Sequence, residues 1–293
     1  MGEPGRAMIG VTGSRGYLGG AVAALLRERG HDVIEFRRGV DDSSDRTVRQ
    51  LELDGPIAPE VFDGVDGLVM AAWDLTETNS SKSWERNVEG SKRIVAAALS
   101  AGVSRIVFVS SMSAYHQTHQ NYGLMKLAVE RVVLEAGHVV VRPGLVYGGT
   151  PGGMTLTLSR LAKLPVIPVF RNANLFTAHV DDVVNALVTV ITDDVESGVV
   201  GLANATPVPF KAIMQAIADA VGSKSKTVDI PWSPLLLLLR SAEKLGVPLP
   251  VRSDSLLGLV RPARSVPGQE IAESLGLRFR PFPDGLRESF DVQ

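Results

Sequence analysis

Apolar positions along the chain follow two alternating rhythms. Met8 to Val11 is a short apolar run, after which Leu18, Ala21, Val22, Leu25 and Leu26 repeat at the i, i+3, i+4, i+7, i+8 spacing of a helix face that Gly30 closes. This reads as strand, tight turn and helix. Val33 to Phe36 predicts a second strand and Leu68 to Ala72 another, while Val88, Val95, Ala98 and Leu99 mark a helix ended by Gly102. Ile106 to Val109 and Val139 to Val141 are further β-branched runs, with a helix from about Tyr122 to Ala136 between them. Buried strands spaced by helices predict an α/β fold, a parallel sheet wound on both faces.

After Tyr147-Gly148 the pattern changes, with Pro151, Gly152, Gly153, Pro165 and Pro168 crowding a less regular stretch. Asp181 then opens a helix carrying Val183, Val184, Leu187, Val190 and Ile191, and Val199 to Leu202 reads as one more strand. The remainder holds a helix near Phe210 to Val221 and a leucine-rich segment, Trp232 to Leu239, read as a core helix. That segment is far short of the roughly 20 residues that span a bilayer. These signals predict a smaller second lobe built from two separated segments.

Composition narrows the partners. Thirty basic against 32 acidic residues give a formal charge of −2, which leaves no field to attract nucleic acid or an anionic membrane. With 0 Cys there is no disulfide framework, thiolate metal site or cysteine nucleophile. Met1 to Ala7 carries neither the charge nor the apolar core of a signal peptide, so Met8 is a candidate native start and the cytoplasm is the expected compartment.

The first strand passes into the first helix through Thr12-Gly13-Ser14-Arg15-Gly16-Tyr17-Leu18-Gly19. Glycines at this spacing permit a tight turn and let backbone approach a pyrophosphate at a helix amino end, which points to a dinucleotide. An acid about 20 positions on would take the ribose 2′-hydroxyl of NAD; here Phe36 is followed by Arg37 and Arg38. Together with Arg15 these guanidinium groups suit a 2′-phosphate, so NADP is expected over NAD. Glu35 is the nearby acid, and strand alternation uninterrupted by a bulge is expected to turn it to the face opposite Phe36 and away from the neighbourhood of Arg37.

Tyr122 and Lys126 are four apart in a predicted helix and so leave one face of it. A phenol becomes a workable acid or base nearer neutrality when an ammonium stabilises its anion. Ser110 and Ser111 end the strand Ile106 to Val109, at the carboxyl edge where wound sheets place ligands. His116 and His119 have no third ligand in a nearby motif and read as surface residues, so no metal is expected. Asp181 and Asp182 read as a helix cap. Trp73 is either pocket wall or packing, and Asn87 either orders the site or packs a helix.

Taken together, Thr12-Gly13-x-x-Gly16-x-x-Gly19, Ala71-Ala72, Asn87-Val88-x-Gly90, Ser110-Ser111 with Tyr115, Tyr122-x-x-x-Lys126, Arg142-Pro143-Gly144-x-Val146-Tyr147-Gly148 and His179-Val180-Asp181-Asp182-Val183 resemble an extended short-chain dehydrogenase/reductase of the NAD-dependent epimerase/dehydratase superfamily. The resemblance implies a Rossmann-type doubly wound domain over 1–148, with 149–293 mainly a substrate lobe and about 176–203 returning to the first domain. It implies Tyr122 as general acid/base, Lys126 on the nicotinamide ribose and a hydroxyl orienting substrate, which counting back four residues from Tyr115 matches to Ser111. It also implies cofactor contacts from Ala71, Ala72 and Pro143, besides Thr12 to Gly19 and Arg37. Trp73, Met112, Tyr147 and Met154 lie in segments expected to face the nicotinamide and offer apolar walls.

Three departures shape the functional expectation. The acidic pair that dehydratases carry after the matching hydroxyl is replaced by Met112 and Ser113. The separation of 11 residues from Ser111 to Tyr122 is shorter than in nucleotide-sugar enzymes. Where sugar-nucleotide members place a diphosphate-binding arginine ahead of His179, this chain has Leu175-Phe176-Thr177-Ala178. The expectation is an NADP-dependent oxidoreductase acting on the carbonyl or secondary alcohol of a small non-nucleotide substrate, with a homodimer compatible. Arg142 and Arg171 are the residues that would overturn the last point if either turned into the cleft. A sugar epimerase and a non-catalytic NADP-sensing protein are the alternatives.

Overall fold

The computed structural model describes residues 7–39, 45–77, 79–149, 153–247 and 251–291. Residues 1–6, Pro151 and Gly152 lie outside the described residues, as does the side chain of Met154. In chain order the strands are β1 (Met8–Thr12), β2 (Asp32–Arg37), β3 (Val48–Gln50), β4 (Gly67–Met70), β5 (Arg105–Val109), β6 (Val139–Pro143), β7 (Leu145–Tyr147), β8 (Val166–Val169), β9 (Asn174–Leu175), β10 (Thr177–His179), β11 (Gly198–Leu202), β12 (Val208–Pro209) and β13 (Lys226–Asp229). The helices are α1 (Tyr17–Glu28), α2 (Ser80–Trp84), α3 (Gly90–Ser100), α4 (Asn121–Glu135), α5 (Gly153–Leu161), α6 (Val180–Thr192), α7 (Phe210–Ala220), α8 (Trp232–Lys244), α9 (Ser253–Val260), α10 (Gln269–Ser274) and α11 (Phe282–Asp291). A π-helical turn, Glu85–Glu89, joins α2 to α3.

Seven strands form one parallel sheet in the order β11-β6-β5-β4-β1-β2-β3. Its central strands are apolar without alternation, because both faces are covered: Val11, Val69 and Val107 face α1 and α6, while Leu68, Ile106 and Phe108 face α3 and α4. Strand order reverses between β1 and β4, and at such a point the carboxyl ends of the strands leave a crevice. A separate core gathers Tyr147, Ile167, Val169, Phe210, Ile213 and Leu256 under α5, α7, α8 and α9.

Local differences from the sequence reading have physical causes. Strand β3 has three residues, too few for its period to register. The strand expected over Leu68 to Ala72 ends at Met70, because Ala72 donates its N–H to Thr12 Oγ1 rather than to a neighbouring strand. The leucine-rich helix is not a core helix: Leu236 and Leu239 are buried, whereas Leu237 and Leu238 are 69% and 63% exposed. A run of consecutive apolar residues circles a helix, and only one face of α8 meets α9. At the start of α6 the capping acceptor is His179 Nδ1, which receives the Asp181 N–H, while Asp182 is bidentate to Arg280.

Candidate active site

Between β1 and α1 the chain turns at Gly13, whose φ of +70° suits glycine and whose Cα lies so near the next strand end that a Cβ would stand 2.8 Å from Ala72 N. At Gly19 a Cβ would come within 2.3 Å of Gly13 O. Helix α1 begins at Tyr17 with Gly16 at its N-cap and no side-chain cap, which leaves first-turn N–H groups for an anion. Gly13, Gly16, Tyr17, Leu18 and Gly19 line a cavity of about 850 Å³. Tyr17 Oη donates to Gly148 O at 2.5 Å, and burial raises its pKa.

At the end of β2, Glu35 is buried and its carboxylate receives Arg27 Nη2 at 2.7 Å and Arg37 Nη2 at 2.7 Å. Burial opposes the charge of Glu35, but the hydrogen bonds from Arg37 and Arg27 and the charge of Arg37 outweigh it and hold the carboxyl below its usual pKa. Both β2 groups thus lie on one face, and the reading that turned Glu35 away from Arg37 missed their i, i+2 relation. Arg15 and Arg38 are exposed.

Helix α4 carries Tyr122 and Lys126 into the cavity that the glycine turn lines, together with Ser111, which lies two residues past the end of β5. Burial pushes the Tyr122 phenol up to about 12, partly countered by a hydrogen bond from Ser111. Lys126 is 3% exposed, donates from Nζ to Val109 O at 2.8 Å, and lies 3.6 Å from the centroid of the Trp73 ring. Burial drives its pKa well below the usual lysine value, against the favourable charge of Glu130. The Trp73 ring meets Tyr122 edge to face at 5.9 Å, so it is both wall and packing.

A layer of polar groups supports these side chains. Glu130, one turn beyond Lys126, accepts from Arg142 Nε at 2.9 Å and Nη2 at 2.6 Å, and from Ser110 Oγ. Ser110 therefore turns to this buried network and Ser111 to Tyr122. Asn87, fully buried in the π-helical turn, accepts from Asp74 N at 2.7 Å and donates to Asp74 O at 2.9 Å, fixing the segment that carries Trp73. Asp254 of α9 receives the N–H groups of Asn121 and Tyr122 at 2.7 and 3.1 Å and so caps the helix that carries Tyr122.

The cavity wall includes Ala71, Trp73, Met112, Ser111, Tyr122, Lys126 and Pro143. It does not include Tyr147, which is 2% exposed and packed against His179 and Phe282 at 5.4 and 4.9 Å, a correction to its assignment as a substrate contact. Strand pairing of β7 with β10 turns that ring inward. Thr12, Ser14, Arg15, Ala72 and Arg37 also stand outside the wall, Thr12 acting through its bond to Ala72. Arg142 is held by Glu130 and the exposed Arg171 is not on the wall, so neither reaches the cavity. His116 and His119 are both exposed. Sequence reasoning missed Gln120, Glu130 and Asp254, whose parts arise from contacts between distant segments.

A family model described as the NAD dependent epimerase/dehydratase family matches residues 9–203. An uncharacterized protein of Mycobacterium tuberculosis is 29% identical over 216 residues, covering 71% of this chain; the chain spans only 23% of that relative. A ceramide reductase of Caulobacter vibrioides is 29% identical over 251 residues, 79% of this chain and 76% of the reductase. Among solved structures, that of gox2253 superposes with a TM-score of 0.74 at 21% identity, covering 98% of this chain and 97% of its own. MoeE5 in complex with UDP-glucuronic acid and NAD superposes with a TM-score of 0.73 at 20% identity, with the same coverage.

Proposed function

The chain belongs to the NAD dependent epimerase/dehydratase family, and from that membership we propose that it is an NADP-dependent oxidoreductase acting on the carbonyl or secondary alcohol of a small, non-nucleotide substrate. The observation that carries this reading is the meeting of Ser111, Tyr122 and Lys126 with the glycine turn around one cavity. The uncapped first turn of α1 fits a pyrophosphate, which Gly13 to Gly19 would hold. When bound, the nicotinamide supplies or accepts hydride. Tyr122 gives its proton to the substrate oxygen during reduction, and Ser111 orients that oxygen. Lys126 lowers the cost of the phenolate left behind. Trp73, beneath the Lys126 ammonium, favours its charged form inside the cavity.

Preference for NADP is supported by what stands at the end of β2. Glu35 already receives the Arg27 and Arg37 guanidinium groups and is not free for a ribose hydroxyl, while Arg15 in the glycine turn and Arg38 just after β2 are exposed cations that would suit a 2′-phosphate. A non-nucleotide substrate is supported by buried Leu175, Phe176, Thr177 and Ala178 and by the engagement of Arg142, which leave a diphosphate without a partner on that side. The similar ceramide reductase agrees with carbonyl reduction. Thermal shifts with NADPH and NADH, then a carbonyl panel monitored for NADPH consumption, test the reading. Stronger stabilisation by NADH, or competition by a UDP-sugar without turnover of any ketone or aldehyde, overturns it.

A further inference from the structure

The cavity wall is apolar on most sides, with Leu158, Leu161, Leu175, Phe176, Leu259 and Met112 among its residues. Six buried polar side chains interrupt it, and five are committed within the protein. Asp74 is bonded by Thr76 and Arg86, Ser83 by Asn87, Ser110 by Glu130, Lys126 by Val109 O, and Thr155 by Val146 O. The sixth is Gln120, 3% exposed, whose Nε2 has no hydrogen-bond partner among the described residues. A buried amide donor left unpaired is destabilising, and its retention calls for an explanation.

Gln120 is also held in place. It is the N-cap of α4, two residues before Tyr122, and α9 packs on it: a Cβ at Gly258 would lie 3.1 Å from Gln120 Oε1. The same helix caps Asn121 and Tyr122 through Asp254. A second unpaired donor on the wall is Trp73 Nε1, but that ring is already occupied by Lys126 and Tyr122. Resting on the reading of the cavity as a carbonyl-reducing site, we propose that Gln120 anchors the substrate through a second oxygen. The substrate class is then a ketone or aldehyde bearing a hydrogen-bond acceptor, such as an amide carbonyl, on an otherwise apolar chain. Binding pairs the donor, and rejection of chains lacking the acceptor follows because the donor then stays unpaired.

The test compares oxo-amides, with one to three methylenes between ketone and amide, against plain ketones of equal length, using the NADPH-loaded protein. At one spacing the parent prefers the oxo-amide in kcat/KM, and in Gln120→Leu that preference falls about tenfold, the scale of one lost hydrogen bond. In Gly258→Ala, which favours the helix and crowds the amide, the preference falls as well, so the test stands even if the leucine variant does not fold. No preference in the parent, a preference kept in both variants, or its loss in Trp73→Phe alone overturns the proposal. Thermal shifts with the corresponding hydroxy-amides and plain alcohols read the anchor without turnover. If nothing is reduced, the oxidoreductase reading fails, while equal shifts for the two alcohol series overturn the anchor by themselves.

Discussion

Replacing Glu130 by leucine isolates the network behind Lys126. The carboxylate is 2% exposed and receives both Arg142 nitrogens at 2.9 and 2.6 Å as well as Ser110 Oγ, so the substitution strands a largely buried guanidinium and a buried hydroxyl. Breaking a buried ion pair on one side costs about 3–5 kcal/mol. The lost acceptor of Ser110 adds about 1 kcal/mol. A total of about 4–6 kcal/mol corresponds to a Tm fall on the order of 8–24 °C for a chain of this size class. Adding Arg142→Met removes the stranded charge and fills similar space with apolar atoms, which recovers most of the loss, because a buried pair replaced as a unit is near neutral. Urea denaturation of both single variants and the double variant closes the cycle, with a coupling of about 3 kcal/mol expected. A double variant as unstable as Glu130→Leu refutes the reasoning, since the cost would then arise from packing at position 130 rather than from the stranded charge.

Glu130→Gln removes the charge that opposes desolvation at Lys126, whose pKa then falls further, so the pH at which Lys126 loses its proton moves down in the NADPH-binding profile; an upward shift contradicts this. Tyr122→Phe keeps cofactor-induced stabilisation and abolishes turnover, whereas Lys126→Ala lowers both, as read by thermal shift and NADPH consumption. Arg37→Ala weakens NADPH binding by about 10- to 100-fold, the worth of a charge-assisted bond, and leaves NADH nearly unaffected in titration calorimetry. Gly19→Ala, whose Cβ would press to 2.3 Å on Gly13 O, forces the turn open and abolishes stabilisation by NADPH.

What was legible in the sequence is what repeats locally. The glycine spacing and the period of α1 lie within one turn and one helix, and Tyr122 and Lys126 share a face because four residues make about one helical turn. The wound sheet follows from β-branched runs too apolar to have an open face. What was not legible depends on partners far along the chain. Asp254 meets Asn121 across 133 positions, Glu130 meets Ser110 across 20, and the ring of Tyr147 is turned inward by a strand that begins at Thr177. Two arginines after Phe36 suggested a phosphate, but their distribution depends on Glu35, which the period of β2 places beside Arg37.

Helix α9 shows why the site and the second core cannot be apportioned by sequence position. Its leucines Leu256, Leu257 and Leu259 belong to the core under α7 and α8, while its Asp254 and Gly258 act on the first residues of α4. The cap fixes the backbone of Tyr122, and the missing Cβ at 258 leaves the room in which the Gln120 amide sits. A substrate that shifts α9 therefore shifts the start of α4, and the recognising amide and the phenol move together. Loops that read substrate in such folds tolerate change because the chemistry lies on rigid elements; here the reading residue belongs to the rigid element itself, so changes in the apolar packing of α9 reach Tyr122 through two backbone N–H groups.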